Sequence, residues 1–114
     1  MTSKETGNMG ETAVCRYLES KGYRIVERNF RIKGGEIDII ACRHKCLVFA
    51  EVKKRRTLDE AAYAITRKQQ LRLIKGAEVF AGSHPEYKNY DLRFDAILVR
   101  LPFTVKHLPN AWTA

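Results

Sequence analysis

The sequence predicts an α/β domain in which a mixed sheet is flanked by helices. Three observations point there. Apolar residues recur at helical spacing in two separate stretches, near the N-terminus and again after Thr66. Alternating or continuous apolar runs of strand length lie between and after them. Glycines and prolines fall where these runs stop. The length of 114 residues is that of one domain, 1–114, able to bury a core without disulfides or a structural metal.

The first helix is expected from about Asn8 to Lys21, with Met9, Ala13, Val14, Tyr17 and Leu18 as its apolar stripe and Gly22 at its end. Asn8 with Glu11 three residues on makes a capping box, which is one reading of Glu11. Tyr23–Ile32 is the first strand, broken at Gly34-Gly35. Glu36–Arg43 and Cys46–Arg55 are the second and third strands, joined around His44-Lys45 without the Asn-Gly pair typical of a tight hairpin. A polar connection, Thr57–Glu60, and a small apolar stretch, Ala61–Ile65, follow. Thr66 and Gln69 form a second capping box, opening a helix over Arg67–Ala81. Its expected buried stripe is Leu71, Ile74, Ala77 and Phe80, and Gly82 is expected to end it. After a loop over Ser83–Asp91 comes a last strand, Leu92–Leu101, stopped by Pro102. The tail over residues 103–114 is expected to be irregular, with Trp112 docked on the body.

Composition narrows the function. Twenty-one Lys and Arg against 13 Asp and Glu give a formal charge of +8, which favours polyanionic partners. An odd count of cysteines, Cys15, Cys42 and Cys46, argues against a secreted disulfide framework. The opening MTSKETGNMGE is too polar for a signal peptide, and no apolar run is long enough for a membrane span. A cytoplasmic protein is the expectation.

The chemistry concentrates in Gly34–Arg56. With a hairpin loop of two or four residues, Arg43 faces Cys46, Ala41 faces Val48 and Asp38 faces Glu51. One face then holds Ile37, Ile39, Ala41, Val48, Ala50 and Val52 as core. The other holds Ile40 and Phe49, then Asp38 with Glu51, then Glu36 with Lys53. Facing carboxylates repel unless a cation joins them, and hard divalent cations take such oxygen ligands together with substrate phosphates. Lys53 projects from the same face as Glu51, where an ammonium can orient water or stabilise charge developing on phosphate. Glu11 is a further candidate ligand. A plain surface salt network explains the same residues without chemistry. Lys54, Arg55, Arg56, Arg67, Lys68, Arg72 and Lys75 form a basic set beginning at this site: either a solvated face or a row of phosphate contacts. Cys42 and Cys46 do not have the usual zinc spacing. Asp95 is expected to pair with Arg31 or Arg93.

Asp38 followed by Glu51 and Lys53, on this order of elements, resembles the PD-(D/E)xK nuclease superfamily, although Ile37 stands where the superfamily's name has proline. More closely the chain resembles the YraN family of small bacterial proteins. The matching stretches are Gly10-Glu11, Ala13, Tyr17-Leu18, Gly22-Tyr23, Arg28–Arg31, Gly35–Asp38, Val48–Lys53, Lys68 and Arg93–Asp95. The resemblance implies a restriction-endonuclease-like core and phosphodiester hydrolysis with Mg²⁺ or Mn²⁺. Asp38 and Glu51 would be metal-binding acids and Lys53 the catalytic lysine. Glu11 matches the acid that similar archaeal Holliday junction resolvases carry on their first helix. It further implies branched or structured DNA as substrate and a homodimer. The alternatives are a non-catalytic nucleic-acid-binding module on the same fold, and a protein-interaction domain whose charged hairpin is only a salt network.

Overall fold

The computed structural model describes residues 3–54, 65–100 and 104–113. Arg55, Arg56, Thr57–Glu60, Ala61–Ala64, Leu101 and Pro102 lie outside the described residues. The chain runs α1 (Ser3–Ser20), β1 (Arg24–Ile32), β2 (Gly35–Arg43), β3 (Cys46–Lys54), α2 (Arg67–Ser83), a 3₁₀ turn (Pro85–Tyr87), β4 (Asp91–Arg100) and β5 (Thr104–Trp112). The strands form one sheet in the order β1-β2-β3-β4-β5. Only β3 and β4 are parallel; the other neighbours are antiparallel. Parallel neighbours need a crossover, and the chain makes it through α2. This mixed sheet with a helix packed on each face is a restriction-endonuclease-like α/β fold.

Both faces of the sheet are therefore core. Val14 and Leu18 of α1 pack on Ile39, Ala41, Val48 and Ala50. Leu73, Ala77 and Phe80 of α2 pack on Ile40, Leu47 and Phe49 from the other side. Such double coverage explains the nearly continuous apolar runs of β2 and β3. Gly76 sets how closely α2 seats. A Cβ there would stand 2.7 Å from Ile32 Cδ1 and 3.0 Å from Ile37 Cδ1.

Several expectations change. Helix α1 begins before Asn8, so the Asn8–Glu11 capping box does not exist and Glu11 is an interior helix residue. Its C-terminus ends as expected: Gly22 has φ 89°, with Gly22 N donating to Glu19 O and Tyr23 N to Leu18 O. The Thr66–Gln69 box is present in both directions. Gly82 does not end α2. The helix runs on to Ser83, whose Oγ donates to Val79 O and Phe80 O. Leu71 is 52% exposed, and Leu73 takes the buried position. His44 and Lys45 both have positive φ, 50° and 59°, so the hairpin is a two-residue turn of the mirror-image kind despite lacking Asn-Gly. The tail is not irregular. Residues 104–112 form β5, and Trp112 stacks on Phe94 at 5.8 Å, docked as expected.

Candidate metal and phosphate site

The β2–β3 register is the expected one from Arg43↔Cys46 to Ile39↔Ala50. It stops one pair short of Asp38 and Glu51. Instead, the Asp38 carboxylate accepts from the backbone N–H of Val52 at 2.8 Å. A side chain thus takes the place of a ladder acceptor, and the two strands part at the site.

The expected face assignment also fails here. Ile37 packs with Ile40 on the α2 side, while Ile39 packs on the α1 side. Strict alternation is broken at Asp38. The neighbouring strand shows why. Asn29 has φ 55°, and the β1–β2 pairing passes from Arg28↔Ile39 to Phe30↔Ile37 without an Asn29–Asp38 pair. Asparagine is among the few side chains that enter the left-handed region readily.

At this break Glu11, Glu36 and Asp38 come together, with one carboxylate oxygen of each within 4.8 Å of the others. Glu51, 7% exposed, is outside this set and pairs with Lys53 Nζ at 3.4 Å. The structure thus joins Glu11 to Asp38 as the sequence suggested. It adds Glu36, which the sequence had set beside Lys53 rather than among the ligands. Asn29 is a further addition. With its amide nitrogen turned to the acids, it donates to Glu11 at 3.2 and 3.3 Å and to Glu36 at 3.2 Å. Arg28 approaches Glu11 at 3.7 Å and donates to Thr12 Oγ1 at 3.2 Å. The Glu-x-Asp spacing of Glu36 and Asp38 was the available signal for Glu36. For Asn29 only its tolerance of positive φ was available.

Burial pushes the Asp38 carboxyl up to about 7, and the nearby Glu51 charge adds to this, against the Val52 hydrogen bond; Glu11 and Glu36 contribute further. Burial also raises Glu51, while Lys53 and Arg72 pull it back. Burial and neighbouring carboxylates thus disfavour the charge on Asp38, and a cation would favour it. The donor set is all oxygen, which suits Mg²⁺ or Mn²⁺. Ligands about 2.1 Å from one octahedral cation stand about 3.0 Å apart when adjacent and about 4.2 Å apart when opposite, so three oxygens within 4.8 Å of one another are near enough for a cation to draw them together.

Of the basic set, Arg67, Lys68, Arg72 and Lys75 lie on α2. Lys54 lies toward α1, its Cδ 3.3 Å from where a Cβ on Gly10 would stand. Asp95 does pair with Arg93, through Nε at 2.9 Å and Nη2 at 2.8 Å. It also accepts from His107 Nε2 at 2.6 Å and Asn110 N at 2.9 Å, both on β5. That makes it structural. No helix among the described residues is long and apolar enough to cross a membrane.

Residues 10–99 match the family model described as "Uncharacterised protein family UPF0102". A UPF0102 protein of Nitrobacter winogradskyi is 50% identical over 111 residues, covering 95% of this chain and 92% of that one. One from Rhodopseudomonas palustris strain BisB18 is 48% identical over 109 residues, covering 96% and 81%. One from Bradyrhizobium diazoefficiens is 43% identical over 109 residues, covering 96% and 82%.

Proposed function

The chain belongs to the uncharacterised protein family UPF0102, the YraN family whose motifs its sequence carries, and from that premise we propose that it is a metal-dependent nuclease acting on branched or otherwise structured DNA. The observation that carries the reading is the convergence of Glu11, Glu36 and Asp38 within 4.8 Å, beside the Glu51–Lys53 pair. Glu11, Glu36 and Asp38 would hold Mg²⁺ or Mn²⁺, with Glu51 next to them. A bound divalent cation supplies Lewis-acid polarisation of a phosphodiester oxygen and lowers the pKa of water.

The chain's own residues do the rest. The Val52 N–H fixes one Asp38 oxygen at 2.8 Å, which orients the carboxylate. Asn29 orients Glu11 and Glu36 in the same way. Lys53 keeps its ammonium beside Glu51, where it can turn to charge developing on phosphate. The excess positive charge of the chain favours encounter with a polyanion. The net charge of +8, with Lys53 held by Glu51, favours a second reading, a nucleic-acid-binding module that keeps the fold without cleaving.

Cleavage separates the two. Purified protein with Mg²⁺ or Mn²⁺ is expected to cut at least one of four DNA forms: junction, flap, single strand or duplex. Asp38→Asn, Glu51→Gln and Lys53→Ala should each lower the rate by about 100-fold or more. If all four forms stay intact with either ion, the nuclease reading fails. If Asp38→Asn or Lys53→Ala cuts at the wild-type rate, the site is wrongly assigned.

A further inference from the structure

Helix α2 crosses the β1–β2 turn more closely than side chains normally allow. Gly76 permits this at one point and Gly35 at another, where a Cβ would stand 3.0 Å from Arg72 Nε and 3.1 Å from Cζ. The result is a small groove of about 90 Å³ between the turn and the helix, lined by Ile32, Lys33, Arg72, Lys75, Gly76 and Val79. Its floor is apolar and its rim carries three cationic side chains, with Lys33 and Lys75 exposed.

Arg72 is incompletely paired. Its Nη1 donates to Gly34 O at 3.2 Å, and its Nε is buried with no acceptor. A guanidinium has five N–H donors in a planar fork suited to phosphate oxygens. Arg72 also lies close enough to Glu51 for its charge to act on that carboxyl.

The geometry points to this groove as the seat of one phosphodiester group of the nucleic-acid strand, held by Lys33, Arg72 and Lys75. The cationic rim suits a phosphate, with the edge of its sugar on Ile32 and Val79. Recognition here is therefore of backbone and not of sequence. The inference rests on the nucleic-acid part of the reading above and not on cleavage.

Binding measured in EDTA tests it apart from catalysis. The probe is a short fluorescent single-stranded DNA, titrated at several salt concentrations. Lys33→Ala and Lys75→Ala are expected to weaken binding about 5-fold each near 0.1 M salt and to lower the log–log salt slope by about 0.7 each. Lys45→Ala and Lys88→Ala, at exposed positions outside the groove, should leave the slope unchanged. Arg72→Lys should lose affinity while keeping the charge, since the fork is lost. The inference is overturned if the groove variants keep the wild-type slope, if Lys45→Ala lowers it equally, or if no binding occurs. Groove-dependent binding by a protein that cuts nothing overturns the nuclease reading and leaves the groove standing. Cleavage with groove-independent binding does the reverse.

Discussion

Asp38 sits with its carboxyl up to about 7, and the sign of that shift has a consequence for stability. An acid whose folded pKa is raised keeps its proton in the folded state after the unfolded chain has lost it. Between the ordinary carboxylate range and about pH 7, the folded state therefore binds more protons, and stability falls as pH rises. Other groups titrate in the same window, so the useful quantity is the difference from Asp38→Asn, which has no charge to bury and can still accept from Val52 N–H. In chelator, Asp38→Asn should be more stable than wild type at pH 8, by roughly 1–3 kcal/mol. The gap should shrink toward pH 4–5. Urea denaturation at both pH values measures it, and a pH-independent gap would contradict the burial of charge at Asp38. At this scale part of the candidate site was legible, though Glu51 stands outside the carboxylate cluster. Asp38, Glu51, Lys53 and Glu11 could be named from residue type and spacing. Glu36 carried a signal in its Glu-x-Asp spacing to Asp38, but strand pairing set it beside Lys53 instead; Asn29 carried none beyond its tolerance of positive φ. The break in alternation at Asp38 lies beside that left-handed residue on the neighbouring strand.

At the scale of elements, the β2–β3 hairpin and β5 show what local signals do and do not fix. The register needed only a two-residue turn, and the chain makes one through His44 and Lys45, both in the left-handed region. Each non-glycine there costs about 1 kcal/mol. Lys45→Gly, alone or with His44→Asn, should therefore raise stability by about 1 kcal/mol and the melting temperature by roughly 4 °C, without altering the register. An unchanged or lower melting temperature would show that the turn is not strained. Strand β5 was missed for a different reason. It contains Pro109, and Asn110 has φ 53°, so its alternation is interrupted. The irregularity falls opposite Asp95, between the Phe94↔Trp112 and Ala96↔Leu108 pairs. Asp95 itself, 0% exposed, fills the gap by accepting from Asn110 N, His107 and Arg93. Burial raises its carboxyl, but the His107, Arg93 and Asn110 hydrogen bonds outweigh it and leave it below its ordinary value. Asp95→Ala strands Arg93 and His107 without their acceptor and should cost about 3–5 kcal/mol in urea unfolding. A loss under about 1 kcal/mol would mean that β5 is held by Trp112 and Leu108 packing instead.

The whole molecule separates what holds it together from what it would bind. Both layers of core, Val14 and Leu18 on one side of the sheet and Phe49, Leu73 and Phe80 on the other, close without any carboxylate of the site. The fold should then survive chelation, unlike a domain that folds around a structural metal. A cation that binds the folded state alone still stabilises it by mass action, about 2.7 kcal/mol at one hundred times its dissociation constant. For a chain of 114 residues that corresponds to a melting temperature roughly 8–15 °C higher in saturating Mn²⁺ than in EDTA. The rise should be larger at pH 8 than at pH 5.5, since protons and the cation compete for Asp38. Glu11→Gln and Glu36→Gln should each reduce it, and Asp38→Asn should abolish most of it. Lys33→Ala should leave it unchanged, as the groove lies on the α2 side and supplies no ligand. Differential scanning calorimetry of wild type and these variants, with and without Mn²⁺, measures all of this in one series. A rise that persists in Asp38→Asn would place the cation elsewhere on the molecule. No rise at any pH would remove the metal from the site, and with it the reason for three acids to converge there.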